Sequence, residues 1–464
     1  MSHNPYDDRG PKATRMKVFG SSGVRDVALE ALSPSKALAI SQAAGALFRE
    51  RNTRVAVGRD TRRTGSMFVH AVASGLTSVG CDVSRLGVVP TPSLQAYCER
   101  EGVPGVMVTA SHNPPEYNGI KLIGDDGVEL TRETLDRVES RLDDDPALTV
   151  WDNAGTVRAV ENTNRTYRTQ LLDAVDRETI AAAELTVALD PGHGAGALTS
   201  PEFFRDLGCT VKTINAQPDG RFPGRNPEPV SANLDDLAQL VAATNADIGI
   251  AHDGDADRAI FFDETGAFVE GDAALAALTA AEAEAGDTIV SAVNASQRLV
   301  DVATDVGATL ELTPIGSTYI ITAIRELQAA GESVAIAGEG NGGIIYPAYR
   351  IARDGAYTAA RLCERLAERP LSDLVGPYDG YTNVRHNIPY RDDSERDAMV
   401  AAIEQVARDA DVHVETTDGY RLDYGDAWVL ARPSGTEPVV RVYAEARERA
   451  RAETLAREMV ESIT

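Results

Sequence analysis

The sequence has little lysine and cysteine and no long apolar run, and each scarcity excludes a class of protein. The four cysteines, Cys81, Cys98, Cys209 and Cys363, lie far apart without a CxxC pair, which argues against a zinc knuckle or a disulfide framework and fits a reducing compartment. No apolar run approaches the roughly 20 residues that cross a bilayer, and the N-terminus has no secretory h-region. We therefore expect a cytoplasmic protein that does not enter a membrane.

Positive charge is also scarce. Acidic residues number 71 against 45 basic ones, for a net charge of -26 at pH 7. This balance disfavours binding to nucleic acid or to an anionic membrane surface. Only five residues are lysine, so nearly all basic residues are arginine. Acidic excess with so little lysine predicts a halophilic protein from a high-salt cytoplasm, where self-repulsion is screened.

A chain of 464 residues is too long for one hydrophobic core, so several domains are expected. Residues 1–15 are polar and rich in turn formers, and we interpret them as a flexible leader. From residue 16 onward, an order of strand, helix, strand, helix, strand occurs three times. The predicted domains are 16–152, 153–257, 258–371 and 372–464.

Each of the three repeats ends in an unusual polar loop after its third strand. The three segments are GVMVTASHNP (105–114), DIGIAHDGDADR (247–258) and VAIAGEGNGG (334–343). Strands that alternate with helices form largely parallel sheets, and ligands bind beyond the carboxyl ends of such strands. The fourth segment, AWVLARPSGTEPVVRVYAEA (427–446), indicates two strands joined by a loop, then a helix. The predicted fold is three similar mixed-sheet α/β domains and a smaller C-terminal α+β domain.

Ser111 directly follows the apolar strand of the first repeat, within Thr109-Ala110-Ser111-His112-Asn113-Pro114. At a strand end its hydroxyl projects into a loop rather than into the core. A serine in such a sequence is also a common turn residue. The tetrapeptide Ser-His-Asn-Pro occurs again at residues 2–5, so the strand context, and not the four letters, carries the argument.

Asp253, Asp255 and Asp257 alternate along one tight loop of the second repeat. Three like charges so close together need a cation, and carboxylate oxygens are the ligands that Mg²⁺ prefers. A calcium-binding EF-hand is the rival interpretation, since Glu264 occupies its twelfth position. However, Arg258 stands where the EF turn requires glycine, and the flanking sequences are strand-like. An acidic surface turn is the other alternative.

Two further loops have the composition of binding loops. The segment 432–438 combines Arg432, Ser434, Gly435 and Thr436, which are the components of a phosphate cradle, although the same letters form a good hairpin turn. The Gly-rich segment 338–343 contributes Glu339 and Asn341, a carboxylate and an amide that suit sugar hydroxyls or belong to a plain loop.

Taken in order, the four loops TASHNP, DGDADR, GEGNGG and RPSGTEP resemble the α-D-phosphohexomutase family over about residues 16–464. That family includes phosphoglucomutase, phosphomannomutase and phosphoglucosamine mutase. The Asn341-Gly342-Gly343 ending is similar to some archaeal-type members, whereas many others have Ser-Gly-His there.

The resemblance implies a heart-shaped enzyme with a central cleft, which moves phosphate between O1 and O6 of a hexose through a hexose 1,6-bisphosphate. Ser111 would be the phosphoserine, and Mg²⁺ would be bound by its phosphate and by Asp253, Asp255 and Asp257. The other implied contacts are Arg25, His112, Lys121 and Arg258 at the reacting phosphate, Glu339 and Asn341 at the sugar, and Arg432, Ser434, Gly435, Thr436 and Arg441 at the non-reacting phosphate.

Several alternatives stay open at this point. The general base is His112 or Lys121. The partner is a small phosphosugar, with phosphoglucosamine mutase as the preferred function and glucose, mannose or a pentose phosphate as other substrates. A metal-dependent sugar phosphatase and a non-catalytic sugar-phosphate sensor are the competing functions. The sequence leaves the oligomeric state open.

Overall fold

Four β-sheets follow one another along the chain. The computed structural model describes residues 18–20, 23–142, 144–435 and 437–463. The predicted leader, residues 1–15, lies outside these ranges. Within them, no helix combines the length and the apolar character needed to cross a bilayer.

The first sheet has six strands in the order β1-β5-β4-β2-β3-β6. Its strands are β1 (Val24–Val27), β2 (Arg54–Arg59), β3 (Asp82–Val88), β4 (Gly105–Val108), β5 (Tyr117–Ile123) and β6 (Val157–Ala159). The helices of this domain are α1 (Pro34–Phe48), α2 (Gly65–Ser78), α3 (Thr91–Glu101) and α4 (Arg132–Ser140). Strand β2 is parallel to β3 and β4, whereas β5 runs antiparallel to β4.

The second sheet has the order β11-β10-β9-β7-β8. Its strands are β7 (Thr186–Asp190), β8 (Thr210–Thr213), β9 (Ile248–Ala251), β10 (Ile260–Phe262) and β11 (Phe268–Val269). The helices of this region are α5 (Thr163–Asp173), α6 (Arg177–Ala182), α7 (Ser200–Asp206) and α8 (Asp235–Thr244).

The third sheet has the order β13-β12-β14-β15-β16. Its strands are β12 (Thr288–Ala292), β13 (Thr309–Thr313), β14 (Val334–Glu339), β15 (Gly343–Tyr346) and β16 (Arg350–Arg353). The helices are α9 (Gly271–Glu282), α10 (Gln297–Val306), α11 (Ser317–Ala329), α12 (Gly355–Leu366) and α13 (Leu371–Val375).

The fourth sheet is antiparallel throughout, in the order β17-β21-β20-β19-β18. Its strands are β17 (Thr382–Pro389), β18 (His413–Glu415), β19 (Tyr420–Asp423), β20 (Ala427–Pro433) and β21 (Val439–Ala446). The helices α14 (Asp393–Asp409) and α15 (Arg449–Ile463) complete this smaller domain. The predicted fold class, three similar mixed-sheet domains and a C-terminal α+β domain, is confirmed.

The first three sheets share one arrangement. In each, two parallel strands flank the first strand of the repeat, and the third strand turns back into an antiparallel neighbour. The third strands β4 and β9 and the first strand β12 are buried along their whole length, which explains their unbroken runs of apolar and small residues. The turn after each third strand is the polar loop that the sequence singles out.

Two predicted domain boundaries fall inside sheets. The boundary at 257 cuts the second sheet, because β10 pairs with β9 and β11 pairs with β10. The boundary at 152 leaves out β6, which pairs with β3 of the first sheet. Antiparallel and edge strands that follow a loop belong to the sheet they extend, so we place these boundaries after Val269 and after Ala159.

Candidate active site

Ser111 lies in the turn between β4 and β5 and is completely buried. Its backbone has a left-handed φ of 52°, and its N–H donates to Thr109 Oγ1 at 2.8 Å. The Ser111 hydroxyl donates to Asp253 Oδ2 at 2.6 Å. His112 Nδ1 lies 3.3 Å from the same hydroxyl oxygen. The first and second domains therefore meet at this side chain.

Three buried carboxylates stand opposite Ser111, on the turn between β9 and β10. One oxygen of each of Asp253, Asp255 and Asp257 lies within 4.8 Å of the others. Since the flanking elements are two antiparallel strands, the EF-hand interpretation, which requires flanking helices, is wrong.

The two oxygens of each carboxylate differ. The Oδ2 atoms accept hydrogen bonds from the Ser111 hydroxyl, from the Thr91 hydroxyl at 2.6 Å and from Lys121 Nζ at 2.9 and 3.1 Å. All three Oδ1 atoms are buried and have no hydrogen-bond partner among the described residues. Three buried oxygens without a hydrogen bond are costly unless a cation binds them, so the residues present fit a hard divalent ion such as Mg²⁺.

The electrostatics of the three aspartates differ because their neighbours differ. Burial, Asp255 and Asp257 raise the pKa of Asp253 well above its ordinary value. Burial also raises the pKa of Asp257, but Arg353, Lys121 and Arg258 outweigh that effect and lower it. The nearby cations thus stabilise the ionised form of Asp257 more than that of Asp253, the aspartate that contacts Ser111.

Lys121 is the central cation of the site. Its Nζ contacts Asp255 and Asp257, and Glu129 Oε1 lies 4.0 Å away. Burial lowers the pKa of this ammonium group, but the nearby acids outweigh burial and raise it. For His112, Arg258 and then burial and Arg25 lower the pKa of the imidazole far below its usual range.

Two arginines border the Ser111 loop. Arg25 Nη1 lies 3.5 Å from Asn113 Oδ1, while its buried Nε and Nη2 have no hydrogen-bond partner among the described residues. Burial lowers the pKa of Arg25. Arg258 Nε lies 3.9 Å from Asp257 Oδ1. These donors suit an anion held at Ser111.

The loop with Glu339 and Asn341 lies beside the metal loop. Asn341 Nδ2 donates to Glu339 Oε2 at 3.3 Å. The backbone N–H of Ala259 donates to the carbonyl of Gly342 at 3.1 Å, which joins this loop to the end of the DGDADR segment. The structure thus brings the characteristic loops of the first three domains together.

The loop of the fourth domain has its described ion pairs within that domain. Arg432 Nε lies 3.0 Å from Asp418 Oδ2, and Arg441 pairs with Glu437. Ser434 and Gly435 follow β20, and Thr436 lies outside the described residues. The contacts described for Arg432 and Arg441 do not connect them with the Ser111 cluster.

Sequence reasoning missed three buried side chains that complete the site. Arg353 Nη2 contacts Asp257 Oδ2 at 2.7 Å and Glu129 Oε1 at 3.5 Å. Thr91, the first residue of α3, donates its hydroxyl to Asp255, and nothing in the sequence distinguishes it. Arg353 is the last residue of β16, so its position at a strand end was the one available signal. Glu129 carries no signal in the sequence.

Comparison with protein families covers nearly the whole chain. Four family models match, described as Phosphoglucomutase/phosphomannomutase alpha/beta/alpha domain I (residues 16–148), domain II (165–266), domain III (270–381) and C-terminal domain (387–462).

Individual relatives also match nearly the whole length of this chain. A "Phosphoglucomutase/phosphomannomutase" of Thermococcus kodakarensis is 40% identical, covering 94% of this chain and 96% of the relative. A "Probable phosphoglucosamine mutase" of Methanopyrus kandleri is 39% identical, covering 96% and 98%. A crystal structure of a phosphoglucomutase/phosphomannomutase family protein from Burkholderia thailandensis superposes with a TM-score of 0.82 at 26% identity, covering 96% of each chain.

Proposed function

The chain belongs to the phosphoglucomutase/phosphomannomutase family, and on that premise we propose that it interconverts a hexose 1-phosphate and a hexose 6-phosphate with Ser111 as the phosphate carrier. The observation that carries this proposal is the 2.6 Å hydrogen bond from the buried Ser111 hydroxyl to Asp253, beside three carboxylate oxygens without hydrogen bonds.

The proposed reaction has two phosphoryl transfers. A sugar hydroxyl attacks the phosphorus of phosphorylated Ser111, the bond from phosphorus to Oγ breaks, and the hydroxyl proton passes to a base. The resulting hexose 1,6-bisphosphate turns around and returns its other phosphate to Ser111 Oγ, with release of the isomer. His112 and Lys121 are the candidate proton carriers, and His112 Nδ1 lies 3.3 Å from the serine oxygen. Positioning and charge stabilisation supply most of the rate in such transfers.

The chain's own residues prepare the site for phosphate. Asp253, Asp255 and Asp257 would hold Mg²⁺ together with the Ser111 phosphate. When bound, this ion neutralises charge on the transferring group. Arg25, Lys121 and Arg258 surround the same position and bind the phosphate oxygens. Burial of Ser111 and the aspartates excludes water, so that the phosphoserine transfers to sugar rather than hydrolysing.

The remaining contacts hold the sugar. We assign Glu339 and Asn341 to its hydroxyls, and Arg432, Ser434, Gly435, Thr436 and Arg441 to the phosphate that is not reacting. Because the bisphosphate reacts in two orientations, these groups must accept either end of the hexose. The name of the Methanopyrus relative supports glucosamine phosphate as the substrate, which we prefer. The name of the Thermococcus relative supports glucose phosphate or mannose phosphate instead.

Rates on glucosamine, glucose, mannose and pentose 1-phosphates, each primed with its bisphosphate and Mg²⁺, test the proposal. We expect isomer formation to exceed phosphate release, and Ser111→Ala to reduce turnover to background. Phosphate release without isomer would instead establish a phosphatase. Failure to trap phosphate on Ser111, with no turnover of any of the four sugars, would favour a sensor.

A further inference from the structure

Arg62 lies beneath the Ser111 loop, outside the set of groups assigned to substrate or metal. Its side chain is completely buried, and it follows β2, in the neighbouring strand-end loop of the first sheet. Its Nε donates to Asp60 Oδ2 at 3.0 Å. A buried guanidinium group is stable only when acceptors satisfy its charge and its N–H groups. The remaining acceptors of Arg62 all lie between Ser111 and Tyr117.

The guanidinium group uses all five of its N–H donors. Besides Asp60, its acceptors are four backbone carbonyl oxygens of the loop that carries the phosphate, those of Ser111, Asn113, Pro114 and Tyr117. One planar group therefore fixes the direction of four peptide units over a seven-residue segment. Lysine has three donors without the fork, so it cannot reproduce this pattern.

The same pair also reaches the amide of Ser111. Asp60 Oδ2 accepts a hydrogen bond from Thr109 Oγ1 at 2.7 Å, and Thr109 Oγ1 accepts one from the Ser111 N–H at 2.8 Å. Both backbone polar groups of Ser111 are thus fixed by hydrogen bonds. Its N–H donates to Thr109, and its carbonyl oxygen accepts from Arg62. Ser111 needs such support because its φ of 52° is unfavourable for a residue with a side chain.

The second domain covers this arginine. The Phe222 ring centroid lies 5.2 Å from Arg62 Cζ, and the backbones of Arg62 and Gly220 form a β-bridge. A Cβ added to Gly254, within the metal loop, would lie 2.6 Å from the Ser111 carbonyl oxygen and 3.5 Å from the Phe222 ring. The arginine, the nucleophile loop and the metal loop are therefore packed together.

We propose that Arg62, seated by Phe222 of the second domain, is a positioning residue that aligns Ser111 Oγ with Asp253 for phosphoryl transfer. This inference rests on the proposed function, because it concerns the alignment of the proposed phosphate carrier. Arg62 acts through the backbone carbonyls of residues 111–117, and it touches neither sugar nor phosphate.

The test compares Arg62→Lys with Arg63→Lys, which makes the same change at an exposed neighbour. Folded Arg62→Lys is expected to lose about 100-fold in kcat, the usual effect of a small misplacement of reacting groups, with KM changed less than about threefold. Phosphorylated Ser111 in this variant should also pass a larger share of its phosphate to water. A change of stability alone would not move that partition.

Folded Arg62→Lys with kcat and partition within about threefold of the native protein would overturn the inference. If Arg62→Lys does not fold, Phe222→Leu decides by the same two measurements, with an expected loss of about tenfold in kcat. If neither the native protein nor Arg63→Lys forms any isomer, the proposed function fails and the role of Arg62 in phosphoryl transfer fails with it, whereas an active native protein with an unaffected Arg62→Lys overturns the role of Arg62 alone.

Discussion

Arg353 Nη2 lies 2.7 Å from Asp257 Oδ2, so the last residue of a strand in the third domain neutralises a carboxylate in the second. Both side chains are nearly inaccessible to solvent. The same guanidinium also approaches Glu129 of the first domain. One arginine thus joins three domains at the metal loop.

Removing this arginine should destabilise the protein strongly. Arg353→Met leaves Asp257 and Glu129 with less compensation in a buried place, and the expected loss in free energy of unfolding is roughly 3 kcal/mol. Arg325→Met on α11 is the control in the same domain, because Arg325 and its partner Asp126 are both partly exposed and such pairs contribute about 1 kcal/mol or less. Urea unfolding of both variants measures the difference. Equal losses would contradict the prediction.

Mg²⁺ should stabilise the native protein through the three unpaired carboxylate oxygens. Since the ion binds the folded state, an ion concentration about 100 times Kd adds roughly 2.7 kcal/mol and raises the melting temperature. Asp253→Asn should abolish most of this rise without lowering stability in EDTA. Asp236→Asn, on the exposed surface of α8, should keep it. A rise of the same size in Asp253→Asn would place the ion elsewhere.

Asp272 should make stability depend on pH. A Cβ added to Gly340 would lie 2.3 Å from both Asp272 carboxylate oxygens, so this side chain packs against the Glu339 loop. Burial and Glu445 raise its pKa to about 7. Between the unfolded value of about 4 and this value, the folded state binds more protons than the unfolded state, so stability falls as pH rises.

Asp272→Asn removes that titration. The variant should therefore be more stable than the native protein by about 1–3 kcal/mol at pH 8, with a smaller advantage at pH 5. Urea unfolding at the two pH values measures it, with the surface variant Asp236→Asn as control. An advantage that does not grow between pH 5 and pH 8 would contradict the assignment.

Salt should stabilise this chain. A net charge of -26 disfavours the compact state through self-repulsion, which salt screens. Melting temperature and activity should therefore rise with KCl, mostly below 1 M, where the Debye length has fallen to about 3 Å. Equal melting temperatures in dilute buffer and in molar KCl would argue against a halophilic protein.

Much of the fold could be predicted from the sequence, because the apolar strands and the polar loops after them indicated the same arrangement in each of the first three domains. The third strands are buried apolar runs, and the residues after them, such as Ser111 and Asp253, are too polar for a core. The threefold order of strands then indicated that these loops occupy equivalent strand ends. The metal loop was also predictable, since three alternating carboxylates directly after an apolar strand favour a cation site.

The rest depended on contacts between domains, which no local pattern reports. Thr91 and Glu129 reach the site only because the first domain packs against the second and third. The placing of a boundary near 257 depends on the same kind of contact, since β10 and β11 pair with the second sheet. In the sequence, Arg62 is only a polar residue after a strand. Its five hydrogen-bond acceptors come together only when the loop is folded, so its role could not be predicted.

Many apolar residues of the second and third domains form one continuous cluster, in which Leu189 and Phe203 share a core with Ile289 and Leu362, while other residues of the two sheets form smaller separate clusters. The first and fourth domains have apolar clusters of their own. The two middle domains should therefore denature as a single cooperative unit. A substitution that destabilises either domain would lower the unfolding temperature of both. The chain would therefore unfold in fewer thermal transitions than it has domains.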